Sequence, residues 1–380
     1  MKFFWLIIFL LCLPAMLLSA PAGAEPYLAV RTGQKCMACH VNPTGGGKRS
    51  EYGNYYGNNS LPAGSFGNID TIFSAGKTKS GTESTTAQAW DGRFTDYFAI
   101  GGDLRTSLNS KIVPGATNTL AFGLERTSLY FDLRIVPNRL SLYVDQRVAP
   151  GVASSREAYV LLWTEERTAY FKAGRLFLPF GLRLEDDGAF VRQVSGINFN
   201  SSDDGVEGGF ELGPLSLNLA VTNGSAGGSE TNTGKQYSLL TSLAYPDWRV
   251  GTSYNANNNG AASRTMQNVF AGLRTGEVSW LAELDYFTDE GTLSGRRKSR
   301  AGLIEANTEV IKGHNLKLTY EYFDPDQAID ENQRIRSSLV WEYTPFEATR
   351  LRAGYRRNRG IPQNNSQNAD EIFLQLHTYL

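Results

Sequence analysis

From about residue 94 to the C-terminus, apolar and polar positions alternate with a period of two. Residues 128–135 and 140–145 show this clearly, with a short turn between them at 137–139. Segments of about ten residues with one apolar and one polar face are typical of transmembrane β-strands. A soluble β-sandwich produces the same alternation in shorter segments. The regular exchange of short and long connections favours the barrel.

The connections predict how many strands the barrel has. Short turns are predicted near residues 137–139, 165–167, 213–214, 246–247, 275–276, 312–315 and 344–346, and longer loops near 110–121, 149–155, 176–204, 223–234, 256–263, 288–297, 324–332 and 358–368. This pattern predicts an all-β, antiparallel transmembrane barrel of about 16 strands, with both ends on the periplasmic side. Such a barrel is expected to enclose an aqueous lumen, and the longest loop, 176–204, to fold inward as a constriction.

The N-terminus has a different pattern. One lysine, an apolar run over residues 3–18 and the small residues Ala22-Gly23-Ala24 predict a signal peptide over residues 1–24, so that the mature chain starts near Glu25. No later apolar run approaches the length of a membrane helix. We expect residues 25–90 to form a separate segment with a polar linker at 76–89, and residues 91–380 to form the barrel.

Composition agrees with an exported barrel. Glycine and aromatic residues are abundant, and the formal net charge is −1. Without a basic tail or patch, the sequence gives no sign of nucleic-acid binding.

One motif in residues 25–90 carries candidate chemistry. Cys36-Met37-Ala38-Cys39-His40 has the spacing that attaches a c-type haem, with two thioether bonds and the histidine as proximal iron ligand. We therefore predict one covalent haem c bound by Cys36, Cys39 and His40. A redox disulfide is the main alternative, and a zinc site would need further ligands. So short and glycine-rich a segment depends for its structure on haem, on the barrel, or on both.

The second axial ligand of a haem is usually His or Met. In the last strand, His377 falls on the lumenal side of the alternation, near the periplasmic mouth. His314 lies in a short turn at the same rim. His377 is the first candidate and His314 the second, although each can equally be a rim histidine bonded to backbone or water. The mature chain has two methionines. Met37 lies between the two attachment cysteines and cannot reach the distal face of the haem, which leaves Met266.

Two stretches resemble a known class of barrel. Arg175-Leu176-Phe177-Leu178-Pro179-Phe180-Gly181 and Asp203-Asp204-Gly205-Val206-Glu207-Gly208-Gly209 are similar to segments of the phosphate-selective porins O and P. The resemblance covers about fifty residues and implies a sixteen-stranded porin. Arg105, Arg147 and Arg183 are candidates for lining its pore, or are ordinary loop and rim arginines.

The order of the parts resembles the outer-membrane cytochrome-porin fusions of iron oxidisers: Thr32-Gly33, then Cys36, Cys39 and His40, a glycine-bearing stretch, and a barrel. The resemblance implies electron transfer across the bacterial outer membrane by an electron carrier rather than a classical enzyme. It also implies a periplasmic c-type cytochrome and an extracellular electron donor or acceptor as partners, beside outer-membrane lipid. The glycine run at 45–47 departs from the iron-oxidiser pattern, so iron is not carried over as the donor.

Two other functions remain open. A diffusion porin for small solutes, anions among them, would use the haem segment as a plug or gate. A haem enzyme would need an open iron position.

Overall fold

The chain forms one closed antiparallel barrel with a short helical segment inside it. The computed structural model describes residues 25–65, 90–197, 201–258, 262–292 and 295–380. The predicted signal peptide and the predicted linker at 76–89 lie outside these residues.

Sixteen strands form the wall, and each pairs with its neighbours in chain order until β1 meets β16. This confirms the predicted fold class and strand number. The strands are β1 Phe98–Ile112, β2 Thr119–Val136, β3 Leu140–Ala149, β4 Ser154–Trp163, β5 Ala169–Leu176, β6 Asp203–Leu212, β7 Leu215–Thr222, β8 Gln236–Ala244, β9 Trp248–Asn258, β10 Ser263–Thr275, β11 Val278–Thr292, β12 Gly295–Ile311, β13 His314–Asp324, β14 Arg334–Tyr343, β15 Thr349–Arg359 and β16 Asp370–Tyr379.

The helices are short. They are α1 Pro26–Thr32, α2 Cys36–Cys39, α3 Glu51–Tyr55 with a following π-helical turn Tyr56–Ser60, and α4 Phe190–Ser195, with a 3-10 turn at Asn365–Asn368. Within the described ranges, no helix is long and apolar enough to span a membrane.

The alternation in β2 runs as the sequence predicts. Leu129, Phe131 and Leu133 are exposed on the outer face, whereas Tyr130 and Asp132 are buried on the inner face. Because successive side chains of a strand point to opposite faces, this pattern continues around the barrel. The outer surface is therefore a belt of apolar side chains suited to lipid.

The connections fall into two groups, with tight turns at one end of the barrel and mostly longer loops at the other. The prediction for residues 288–297 is wrong. There β11 and β12 continue and pair as far as Thr292 and Gly295. The sequence pattern alone could not show this. A stretch rich in glycine and charged residues is typical of a loop, and only the structure shows that its backbone is paired.

The loop predicted at 176–204 folds into the lumen, as expected, over its described residues 177–197 and 201–202. Backbone N–H groups of Gly181, Leu182 and Phe190 donate to side chains on β9, β11 and β13. Arg192 holds two parts of the loop together, because its Nη1 donates to the carbonyls of Phe180 at 3.1 Å and Ile197 at 3.2 Å.

The expectation of an aqueous lumen is wrong for most of the described interior. The loop and the N-terminal segment pack with the wall into one apolar cluster that includes Tyr27, Leu28, Val30, Leu61, Phe180, Leu182, Phe190, Met266, Phe270, Leu281, Phe287 and Leu303. Charged inner residues such as Lys172, Glu207 and Arg350 have no solvent exposure. The barrel thus has a packed core over much of its length.

Candidate cofactor-binding site

Residues 25–65, which we call the plug, sit inside the barrel at the tight-turn end. Side chains of α1 reach the wall on one side: Tyr27 Oη donates to Glu342 Oε2 at 3.0 Å and Arg31 Nη2 donates to Asn315 Oδ1 at 2.7 Å. Lys35 Nζ meets Glu211 Oε2 of β6 at 2.7 Å on another side. Contacts on opposite walls show that the plug lies within the lumen.

Helix α2 is a single turn that brings the motif residues together. The backbone N–H of His40 donates to the carbonyl of Cys36 at 3.0 Å. Residues at spacings of three and four share one face of a helix, so Cys36, Cys39 and His40 are presented together. The two cysteines form no disulfide in the structure.

The glycine run that follows forms a turn whose backbone angles and close contacts require glycine. Gly45, Gly46 and Gly47 have φ angles of 91°, 80° and 63°, a region that side chains disfavour. A Cβ on Gly45 would lie 3.6 Å from the sulfur of Cys36, and one on Gly47 would lie 2.0 Å from the hydroxyl of Tyr143. The turn therefore returns close to the motif and presses against β3.

Asn42 anchors this turn to the wall. Its Nδ2 donates to both carboxylate oxygens of Glu157 at 3.0 Å, and its Oδ1 accepts from Lys172 Nζ at 3.1 Å. The same Oδ1 accepts from the backbone N–H and the hydroxyl of Thr44. Glu157 also accepts from the backbone N–H of Phe177, at the start of the inward loop. One buried amide thus connects plug, wall and loop.

The motif faces a cavity inside the barrel. Cys36, Cys39 and His40 line it together with the inward face of α1, the loop and the wall. The apolar part of the lining comprises Pro26, Leu28, Ala29, Tyr56, Leu61, Pro179, Phe180, Leu182, Leu240, Ala244 and Phe270. Such a lining suits a mainly apolar group.

Burial sets the protonation of the motif. Desolvation, aided by the charges of Arg49 and Arg183, lowers the pKa of His40 to about 3. Its imidazole is therefore neutral, which is the form that ligates a metal. Its Nδ1 is buried without a hydrogen-bond partner. Burial, and next the neighbouring Cys36, raises the pKa of the Cys39 thiol to about 11.

His377 points into the lumen as predicted, but it does not line this cavity. It borders a second, smaller cavity of about 430 Å³ that also reaches His40. Its Nε2 lies 2.8 Å from Asp103 Oδ2, and its Nδ1 lies 3.3 Å from a guanidinium nitrogen of Arg350. Both ring nitrogens thus already have protein partners.

His314 lies on the outer face of the barrel. It stacks on Tyr343 with ring centroids 4.2 Å apart, and its Nδ1 accepts from Trp341 Nε1 at 3.2 Å. The alternation of β13 explains this, because its inward positions are Asn315 and Lys317. The structure does not bring His314 to either cavity.

The remaining candidates are also placed. Met266 is buried in the apolar cluster and does not line the cavity. Arg183 lines the cavity and donates to the carbonyl of Gly45 at 2.6 Å, whereas Arg105 pairs with Asp103 and Glu185. Arg147 lines neither cavity. Among the described residues, no group of three or more His, Cys, Asp and Glu side chains is placed to hold a metal ion.

Sequence reasoning missed most of the cavity wall. Asn42, Arg49 and Arg249 belong to the site but carry no motif. Only the glycine run hinted that the chain turns back on the cysteines. The wall residues lie hundreds of positions away, and alternation marks them as inward without saying what they meet.

The fold is a closed sixteen-stranded antiparallel barrel whose lumen is largely filled by the plug and the inward loop. No protein-family model matches the chain, and no curated protein sequence matches it.

Solved structures with a similar fold include the loop L8 deletion mutant of OmpT, an outer membrane protein of Vibrio cholerae (TM-score 0.57, 16% identity, 74% of this chain and 99% of that chain). Others are an anion-selective porin from Comamonas acidovorans (0.56, 11%, 74% and 99%) and the outer membrane channel DcaP of Acinetobacter baumannii (0.52, 11%, 74% and 97%). At these identities the likeness concerns the fold.

Proposed function

We propose that this chain is an outer-membrane electron carrier, with a single haem c attached to Cys36 and Cys39 and ligated by His40. The observation that carries the proposal is the mainly apolar cavity inside the barrel, which all three motif residues line. A bound haem would supply one-electron chemistry by changing the oxidation state of its iron.

The chain's own residues would hold and insulate this group. The neutral His40 is ready to ligate. Leu28, Phe180 and Phe270 would exclude water from the cavity, which also tunes the reduction potential. Asn42 would fix the motif to the wall through Glu157 and Lys172.

The filled lumen supports a sheath rather than an open pore. Lys172 and Glu207 pair at 2.7 Å with no solvent exposure, and the inward loop closes the space above the plug. In this arrangement the apolar belt contacts outer-membrane lipid, and the plug faces the periplasm, because the tight turns of such barrels are periplasmic. A periplasmic c-type cytochrome would then meet the plug side, and an extracellular donor or acceptor the loop side.

Liposomes test the proposal. The full-length holoprotein is reconstituted, and a membrane-impermeant reductant is added outside while a redox dye is enclosed. We expect a haem stain that survives denaturation, and dye reduction that disappears in the Cys36→Ala/Cys39→Ala variant. Absence of covalent haem, or dye reduction that persists in that variant, would contradict the proposal.

A diffusion porin is the second candidate. A vestibule of about 1150 Å³ at the loop end is lined by charged residues such as Arg105, Arg356 and Glu371. Proteins of similar fold are named porin or channel. Planar-bilayer recordings separate the two functions: a sheath gives no steady channel current from the full-length holoprotein, whereas a diffusion porin gives a stable open conductance.

A further inference from the structure

Three arginines line the cavity and form no salt bridge among the described residues: Arg49, Arg183 and Arg249. Of the three, Arg183 lies close enough to Glu157 for their charges to interact. Arg183 donates to the carbonyl of Gly45, and Arg249 Nη2 donates to the carbonyls of Ala29 at 2.8 Å and Gln34 at 2.6 Å. The guanidinium of Arg49 lies 3.5 Å from the ring centre of Tyr379. A guanidinium has five donors, so each retains unused capacity.

Several other cations of the interior have a carboxylate partner. Lys35 meets Glu211 at 2.7 Å, Lys172 meets Glu207 at 2.7 Å, and Arg350 meets Glu25 at 3.2 Å. Against this background, three cations around one apolar cavity form a local excess of positive charge. Burying a cation without a counter-charge is costly, and desolvation lowers the pKa of Arg49 accordingly.

The lining of the cavity therefore suits a ligand that is largely apolar and carries more than one negative charge. Carboxylates suit it best, because a guanidinium binds them through two parallel hydrogen bonds. Haem has this chemistry, with a flat apolar ring and two propionate groups.

We propose that Arg49, Arg183 and Arg249 form the anion-binding part of the cavity and hold the two propionate carboxylates of the haem. The inference rests on the proposed function and adds the residues that neutralise the group. It also predicts opposite effects of one substitution: Arg249→Gln relieves an unpaired charge in the empty protein but removes a counter-charge from the loaded one.

Porphyrin binding tests the charge requirement directly. The full-length Cys36→Ala/Cys39→Ala protein in detergent is titrated with zinc protoporphyrin IX and with its dimethyl ester, which lacks the two charges. We expect the free acid to bind at least about tenfold more tightly, equivalent to about 1.4 kcal/mol. Arg183→Gln and Arg249→Gln should each reduce this preference.

Arg31→Gln is the matched control, because Arg31 lies on the plug but pairs with Glu309 at 3.3 Å and does not line the cavity. It should leave the preference unchanged. If the free acid and the ester bound equally, or if the preference for the free acid remained in both Arg183→Gln and Arg249→Gln, this inference would be overturned but the proposed function would not. Failure of both porphyrins to bind would overturn the proposed cavity occupant as well.

Two further measurements do not depend on porphyrin exchange. In the holoprotein, Arg249→Gln should lower the reduction potential, because a nearby positive charge favours the reduced state; a tenfold shift corresponds to about 59 mV for one electron. In the empty cysteine-free protein, the same substitution should raise the melting temperature. An unchanged potential together with a lower melting temperature would contradict the inference.

Discussion

At the scale of single residues, the site depends on a glycine and an amide more than on the motif itself. The spacing of Cys36, Cys39 and His40 was readable from the sequence. The reason for Gly47 was not, because its requirement comes from Tyr143, which lies on β3. Asn42 gave no signal at all, since one asparagine in a polar loop is ordinary.

Gly47→Ala tests the turn. The new Cβ would lie 2.0 Å from the Tyr143 hydroxyl, at a φ of 63°, so we expect the plug to undock and trypsin to cleave it at least about tenfold faster, equivalent to about 1.4 kcal/mol or more. Gly276→Ala is the control, with a φ of 60° and nothing within 4 Å. Equal protection of the plug in both variants would contradict this account.

Asn42→Ala tests the anchor. It removes the amide that bonds Glu157 and leaves Lys172 with one acceptor fewer, and leaving such buried groups unpaired costs about 1–3 kcal/mol. The urea midpoint for loss of plug protection should fall. Asn59→Ala is the comparison, because that amide is exposed and bonds only the carbonyl of Tyr55. A midpoint no lower than that of Asn59→Ala would speak against the anchor.

At the scale of elements, the strands were predictable and the interior packing was not. Alternation identified β2 and β16 residue by residue, because a barrel wall has two chemically different faces. The same alternation cannot distinguish an inward Phe270 or Leu281 that faces water from one that packs on a plug. The inward fold of the loop, described at 177–197 and 201–202, was expected from its length. Its ion pairs to the far wall, however, depend on strands that follow it in the chain.

The acidic tip of that loop makes a pH-dependent contact. Asp186 lies 3.5 Å from Arg336 and also pairs with Arg356. Burial alone would raise the pKa of Asp186. The positive charges of these two arginines act in the opposite direction and outweigh burial, so that the pKa lies well below the ordinary value near 4. A carboxyl with a lowered pKa stabilises the folded state fully above its ordinary pKa, and that stabilisation is lost as the pH falls through the folded-state pKa.

We therefore expect planar-bilayer current from the full-length protein to stay at its closed level from pH 8 to 5 and to rise only below about pH 4. Asp186→Asn should produce channel openings already at pH 7. Asp247→Asn, which removes an exposed pair with Arg274 at a tight turn, should not. If channel openings of the parent protein began near pH 6, the contacts of Asp186 with Arg336 and Arg356 would not be what keeps the channel closed.

At the scale of the whole molecule, the chain combines a closed β-barrel wall that is apolar outside with a packed interior like that of a soluble domain. Period-two alternation predicted the wall and the strand number, and the motif predicted a cofactor segment. Neither could predict that the two parts share one core, because a core of this kind is specified by contacts between residues far apart in the chain.

That separation has a consequence for assembly. Glu25, the first described residue, pairs with Arg350, which lies 325 positions later in the chain, and the plug also contacts β13, β14 and β16. Its binding surface does not exist until the last strands have closed the barrel, and such long-range closure is slow. The plug thus precedes the barrel in the chain but can dock only after the barrel has closed.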